Sequence, residues 1–453
     1  MNNALHLLPW CLLLVIVLAV ATPSLAAETP PDPARVRAVA AMLPEKPAAP
    51  GWPITDRAAW DSRATQPAYR NLLKRAEDIL QQPLPEQPDD LYLEFSRNGN
   101  RTRWQNVATQ RRSRLVPLVI GECLENKGRF VPAIEQLIAA VCAERTWVMP
   151  AHDAKLENFK GTTIDIDLAS SALGWNLAVA DYLLGDRLGA ATRQELRGNV
   201  KRRILDPYRA MFTGQRPANW WLTGTNNWNA VCLAGVTGAG LAQIESREER
   251  AEYVVAAEKY SRYFLSGFTA DGYCSEGLGY WNYGFGHYLL LAETIRQATG
   301  GQVDLLAVPE ARMPATFGAR IQIINNIAPA FADCGVFAKP SPDIMYFVNR
   351  RFGLGLRDYE QLDPKDTFGS LFEAMIYNSP DVAALRPAAS ASAPSGPALR
   401  DWFNEAGILI SRPTPGSACL LGVALKGGHN AEHHNHNDLG SFVVVSGERP
   451  VLL

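Results

Sequence analysis

Redox and zinc-ribbon motifs are the first thing missing. The chain's 7 cysteines contain no Cys-x-x-Cys pair, which removes a zinc ribbon and a thioredoxin-like centre. An excess of positive charge is missing too, with 44 Lys and Arg against 46 Asp and Glu for a formal charge of −2. That balance excludes a nucleic-acid binder that works through bulk charge. The 453 residues hold no collagen period, no heptad array and no regular repeat, so neither a fibre nor a consensus repeat array fits. Histidine is scarce, at 7. What is there suits a packed globular protein: 47% of residues are apolar and 20% are charged, a balance that excludes wholesale disorder. At roughly 150 residues per domain the length suggests about two or three domains, or one large one. Such a chain buries a large core without staples.

Only one apolar run approaches the length that spans a bilayer, residues 10–22 (WCLLLVIVLAVAT). Ser24-Leu25-Ala26-Ala27 follow it, small residues of the kind signal peptidase cleaves. Residues 1–27 therefore read as a secretory signal, although the segment before the run carries no Lys or Arg. A retained membrane anchor is the bland alternative. Export to the periplasm or beyond permits disulfides. The six cysteines outside the signal (Cys123, Cys142, Cys232, Cys274, Cys334, Cys419) are scattered. Most read as small buried apolar residues.

Residues 28–67 are rich in Pro and Ala and read as an extended lead-in. From 68 to 385 the pattern is mostly helical, with helices expected over 111–124, 134–142, 166–184, 192–205, 229–244, 249–268 and 280–298. Spacers with Gly, Asp and Pro separate them, which suggests stacked helical hairpins. Residues 386–399 (RPAASASAPSGPAL) read as a linker. Then the period changes to short β-rich runs at 407–412, 418–426 and 441–446, with a turn at 446–450 into one more strand. Residues 400–453 are thus the start of an antiparallel β domain.

Four of the histidines lie within eight residues, in Gly428-His429-Asn430-Ala431-Glu432-His433-His434-Asn435-His436-Asn437-Asp438. In strand geometry His434 and His436 point to one side, a pair suited to a metal or to proton transfer near neutral pH. A solvated loop is the bland reading. A second feature, DGYCSEGLGYWNYGFGHY over 271–288, holds Glu276, Tyr280, Trp281, Tyr283 and His287 among glycines. Its glycines let backbone approach a ligand closely, and its rings and carboxylate suit a sugar; packed core aromatics would look alike. A phenol transfers protons if its site adjusts a reference pKa of about 10. A third, Thr225-Asn226-Asn227-Trp228-Asn229, carries amides that hydrogen-bond a carboxylate or cap a helix. The fourth is Arg97, Arg101, Arg103, Arg111, Arg112 and Arg114, six arginines in 18 residues. Arginine suits bidentate binding of carboxylate or sulfate; a solvated helix face is the plainer reading for most of them. Asp165 and Asp167 read as a helix N-terminal pair.

The order of these motifs, NNWN, then EGLGYWNYG, then a linker and HNAEHHNHND at the head of a β domain, resembles the heparinase II/III-like polysaccharide lyases, relatives of which include alginate and oligoalginate lyases. The resemblance spans roughly residues 100–453. It implies an α+β multidomain fold, an N-terminal (α/α) toroid followed by the start of an antiparallel β-sandwich, with the active site between them. It also implies β-elimination on a uronic-acid polysaccharide. Asn227 or Asn229 would hydrogen-bond the uronate carboxylate. Tyr280, or Tyr283, would protonate the leaving oxygen, and the same Tyr is a second candidate for the base. His434 would be the base or a second neutraliser. Glu276, Arg114, Trp228, Trp281 and His433 would bind or position the sugar. No cofactor is required for this chemistry. Some members hold a structural zinc, and His436 matches its first ligand. Further ligands in those members lie downstream of the residues present here, so zinc is expected only in a longer form. The implied partner is an acidic polysaccharide or oligosaccharide, with no nucleic acid and no stable membrane association after signal cleavage.

Two alternatives belong to other classes. One is a toroid glycoside hydrolase that uses Glu276 with Asp165 or Asp167, since hydrolysis needs two carboxylates about 5–10 Å apart. The other is a sugar-binding surface protein without turnover. The 400–453 segment is short beside the family's β domain, so the sequence reads as truncated, and its edge strands are expected to lack partners and to limit solubility or activity.

Overall fold

The computed structural model describes residues 30–362, 367–378 and 398–452. The signal segment and most of the linker lie outside the described residues. Among the described residues the chain is mostly helical up to Tyr377, then forms one five-stranded sheet.

The helix Asn227–Gln243 is the hub. It packs against Leu168–Leu184, Arg247–Leu265 and Leu278–Ala298. Its inner positions are small because neighbours come close. A Cβ at Gly238 would sit 2.1 Å from the Trp175 ring, well inside van der Waals contact. The N-termini of the hub and of its neighbour Leu168–Leu184 are both built by polar caps. The Asn226 side chain accepts from the Trp228 N–H. Asp167 and Ser170 form a reciprocal capping box at the start of Leu168–Leu184. The helix Leu278–Ala298 meets the hub at Gly284, where a Cβ would lie 2.9 Å from the Asn227 Cβ. That contact brings the Tyr280 turn beside the Asn226–Asn227 turn.

Two expectations change. The lead-in is helical, not extended: Pro33–Met42 and Arg57–Ala64 form, capped by Asp32 and Asp56. Val39 and Trp60 from this segment are fully buried. The expected helix over 111–124 is split into Thr102–Arg112 and Leu115–Glu125, with Ser113 and Arg114 at the break.

The sheet is an antiparallel meander in sequence order: β1 (Arg400–Phe403), β2 (Ile408–Ser411), β3 (Leu421–Lys426), β4 (Phe442–Ser446) and β5 (Arg449–Leu452). β1 lies outside the expected runs. Alternation puts Phe403, Ile408, Ile410, Ala424, Val443 and Val445 on the buried face. The sheet is pinned to the helical body by Asp401, which pairs with Arg320 at 2.9 Å and Arg412 at 2.7 Å. Residues 427–441, with the four histidines, form the loop between β3 and β4.

Candidate active site

Glu276 begins the site. It ends the loop that leads into Leu278–Ala298 and is 4% exposed. Gly277 follows it at φ 89°, and a Cβ there would meet the Phe331 carbonyl at 2.8 Å, so only glycine turns the chain here. The two Glu276 oxygens accept from the Asn227 backbone N–H at 3.0 Å and from its side-chain amide at 2.6 Å. The Asn227 Oδ1 is buried with no hydrogen-bond partner. Asn226, half-buried, spends its Oδ1 on the helix cap.

His434 closes the cluster from the β3–β4 loop. Its Nε2 lies 3.3 Å from Glu276 and its Nδ1 lies 3.2 Å from Asp333. Its ring stacks on Tyr280 with centroids 4.3 Å apart. His436 Nε2 reaches the other Asp333 oxygen at 3.5 Å. So His434 and His436 do face one partner, although through an irregular loop with His434 at φ 53° rather than through a strand. His433 hydrogen-bonds Thr225 at 3.2 Å, which ties the loop to the Asn226 turn.

Lys426 holds the loop. Its side chain is fully buried and pairs with Glu432 at 2.9 Å and Asp438 at 2.7 Å. Asp438 also accepts from the Ala332 N–H at 3.2 Å, beside Asp333. Hydrogen bonds from Lys426 and that N–H hold the Asp438 carboxyl below its ordinary value, against the opposing effect of burial.

The Tyr280 phenol is pushed above its ordinary value of 10 by burial, then by the Asp333 and Glu276 carboxylates; Arg101 acts in the opposite direction. Tyr283, a turn further along, is raised by burial as well. It faces a separate pocket with His287 and Glu373.

Beyond this cluster the cleft has an aromatic wall. Trp228 packs on Trp220 at 4.9 Å and on His152 at 4.5 Å. His152 Nδ1 lies 2.7 Å from Asp167. Burial alone would raise the Asp167 carboxyl, but His152 and the Met149 and Ser170 amides bring it below its ordinary 3.8.

The structure therefore brings together Asn227, Glu276, Tyr280, His433 and His434, with Trp228 on the adjoining wall. Four expected residues lie elsewhere, Tyr283 in its separate pocket being the first. Asn229 is fully buried, and its amide is consumed by the Trp221 and Leu222 carbonyls. Trp281 is fully buried with its indole N–H on the Pro314 carbonyl, so it offers no stacking face. Arg114 donates to the Gln82 and Pro83 carbonyls, where it braces the 81–88 connection. Residues that sequence reasoning passed over are Asp333 and His152. Each sits in a stretch without a motif, and only tertiary approach gives it a role; Arg101, one of the six clustered arginines, acts on the Tyr280 phenol. Asp165 binds Asn158, Asn219 and Arg216, and Asp167 is buried as a cap, so the carboxylate partners named for hydrolysis are both engaged structurally.

For zinc, the donors present do not fit. Among the described residues no group of three or more His, Cys, Asp or Glu side chains is arranged to hold a metal ion, and His436 is paired with Asp333. Among the described residues the six cysteines are unpaired, and burial raises the Cys142 thiol to about 12. No helix among the described residues is long and apolar enough to cross a membrane.

No family model matches the chain, and no curated protein matches it. Solved structures do. A heparinase III gene product with methylated lysines is 12% identical, with a TM-score of 0.49, over 84% of this chain and 56% of its own. The heparan sulfate lyase HepC from Pedobacter heparinus is 13% identical, with a TM-score of 0.47, over 87% of this chain and 59% of its own. A further heparinase III structure is 11% identical, with a TM-score of 0.46, over 83% and 60%. The chain spans less than two thirds of the length of each of these structures, and its structural neighbours carry the names of heparinase III and heparan sulfate lyase.

Proposed function

We propose that this chain is the catalytic part of an exported polysaccharide lyase that breaks a uronic-acid polymer by β-elimination. The observation that carries the reading is the Tyr280–His434 stack, flanked by Glu276 and Asp333 and set beside the Asn226–Asn227 turn. Elimination needs a group that neutralises the C6 carboxylate, a base for the C5 proton and an acid for the C4 oxygen. The Asn226–Asn227 turn supplies amide donors at the carboxylate, which makes C5–H more acidic. His434 takes the C5 proton, with Asp333 orienting its ring from Nδ1. The C5–H electron pair becomes the C4–C5 double bond as the C4–O bond breaks, and Tyr280 gives its proton to the leaving oxygen. A phenol held above its ordinary pKa stays protonated at neutral pH, which suits the acid's role better than the base's. Glu276 fixes Asn227, and Trp228 offers a face to a sugar ring.

In this reading the helical hairpins form an (α/α) toroid over 68–385, residues 400–453 begin a β-sandwich, and 1–27 direct export. The test is a panel of uronate polysaccharides followed by ultraviolet absorbance of the unsaturated product. Reducing-end release without new absorbance would move the reading to hydrolysis. Binding of the polymers without any product would leave a sugar-binding protein.

A further inference from the structure

Five of the six clustered arginines are spent. Arg97 pairs with Asp90 at 3.3 Å, Arg103 pairs with Glu94, and Arg112 pairs with Glu144 at 2.9 Å. Arg111 lies near Glu144 and donates to the Pro85 carbonyl at 3.0 Å, and Arg114 binds two further carbonyls. Arg101 has no ion pair among the described residues, and its field reaches the Tyr280 phenol.

Arg101 shares an open cleft of about 960 Å³ with His152, Asn98 and Asn100. His152 is not a loose surface ring. Its Nδ1 is fixed on Asp167, a carboxylate 2% exposed that also accepts the Met149 and Ser170 N–H groups. The ring packs at a tilt against Trp228, centroids 4.5 Å apart and planes 60° apart. The side chain remains 20% exposed, and Nε2 is the nitrogen left to meet a ligand. An unpaired guanidinium and a braced imidazole on one wall suit an oxyanion, and the adjoining Trp228 and Trp220 suit the ring that bears it.

We propose that Arg101 and His152 form a second anion-recognising subsite, which holds a carboxylate or sulfate of the sugar chain other than the reacting carboxylate. The proposal deepens the lyase reading and rests on it for the identity of the ligand as an acidic glycan. Asp167 is the positioning residue of this subsite, because it acts only through His152.

The experiment uses the full chain carrying Tyr280→Phe, so that turnover does not obscure binding. Calorimetric titration is run with three hexasaccharides of alternating glucuronate and N-acetylhexosamine: the plain form, an N-sulfated form and a carboxyl-reduced neutral form. Adding Arg101→Ala or His152→Gln is expected to weaken the charged forms by about tenfold or more and to leave the neutral form unchanged. A greater loss for the N-sulfated form identifies sulfate as the bound group; an equal loss for both identifies carboxylate. Arg97→Ala is the control, and Arg101→Lys should recover part of the loss. The proposal is overturned if both variants bind the charged forms as tightly as the parent. It is also overturned if they lose the neutral form equally, or if the parent binds no charged form. Should His152→Gln unfold, Arg101→Ala carries the test. Turnover of the same hexasaccharides by the unsubstituted chain is followed separately by absorbance. No turnover, with charge-dependent binding intact, removes the lyase reading and leaves the subsite standing.

Discussion

His434 lies nearly parallel on Tyr280, their planes 23° apart, while its two nitrogens point at carboxylates from two different segments, Glu276 and Asp333. The helical body supplies three of these four groups and the β3–β4 loop supplies one. The proposed chemistry therefore depends on how the loop is held against the helices.

Tyr280→Phe removes one oxygen and keeps the stack. If the phenol is the acid, turnover should fall by about a hundredfold to ten-thousandfold, with substrate binding kept. Because the pKa is raised, the protonated, active form persists up to the ordinary phenol value of 10 and beyond. Activity assigned to this acid should decline only on the alkaline side of that value. Ultraviolet titration of the phenol, wild type minus Tyr280→Phe, gives the midpoint directly. Unchanged turnover in both Tyr280→Phe and Tyr283→Phe would reject the assignment.

Asp333→Asn tests the partner. After burial, the Asp333 charge is the largest cause that raises the Tyr280 phenol, so its removal should move the Tyr280 midpoint down towards 10. The same change removes the negative charge and leaves one oxygen and one NH2 where two carboxylate oxygens face His434 Nδ1 and His436 Nε2. Turnover should drop by about tenfold or more, since an unoriented general base loses efficiency. A midpoint that stays where it is would show that the Asp333 charge does not raise the phenol.

Much of this arrangement was legible in the sequence, and the reasons for the gaps are physical. The helices expected between 134 and 298 form, that over 192–205 ending in a π turn at Lys201–Leu205, and strands β2 to β4 follow their apolar alternation. The His loop and the EGLGYWNYG turn, both singled out as motifs, converge through the Tyr280–His434 stack and the His434–Glu276 pair. Trp228 and Trp281 looked alike as letters, because whether an indole faces a cleft or a core depends on neighbours far away in sequence. Asn229 differs from Asn227 in the same way, since one amide staples a 3-10 turn and the other meets Glu276. The lead-in helices were hidden by Pro and Ala, yet proline is favoured in a helix's first turn and Pro33 takes that place. Asp333 carries no motif at all, and tertiary contacts such as Ala332–Asp438 bring it to His434.

Lys426 is the loop's anchor, so Lys426→Met should be costly. It leaves Glu432 and Asp438 without their cation, at about 3–5 kcal/mol for a broken buried pair. The triple variant with Glu432→Gln and Asp438→Asn should recover part of that loss, because it leaves no stranded charge. Chemical denaturation measures both, and turnover should fall in both because His434 loses its support. Equal stability of Lys426→Met and wild type would contradict the buried pairing.

Asp167→Asn separates cap from charge. The folded carboxyl lies below its ordinary 3.8, so its stabilising contribution is fully present above that pH. It is lost as pH falls through the depressed folded value. The variant should therefore be less stable than wild type by about 2 kcal/mol at neutral pH, and the gap should narrow below 3.8. Thermal melts at neutral and acid pH show it. A gap that is independent of pH would mean the loss is one of cap geometry alone.

The sheet's outer face makes the last prediction. Trp402 is 51% exposed, Leu421 51%, Leu425 43% and Phe442 49%, and they fall on one side of β1, β3 and β4 by alternation. Leu425 and Phe442 stand directly opposite in register, so they form one contiguous apolar surface. Surfaces of this kind drive association in water. The chain should self-associate in a concentration-dependent way, and Leu425→Thr with Phe442→Thr should reduce it. Threonine keeps the β preference, so the sheet should survive the exchange. The site residues face the helical body from the loop beyond β3, so binding of an acidic hexasaccharide should be retained while the sedimentation profile shifts towards monomer. A profile that is the same before and after the double exchange would place the association elsewhere on the molecule.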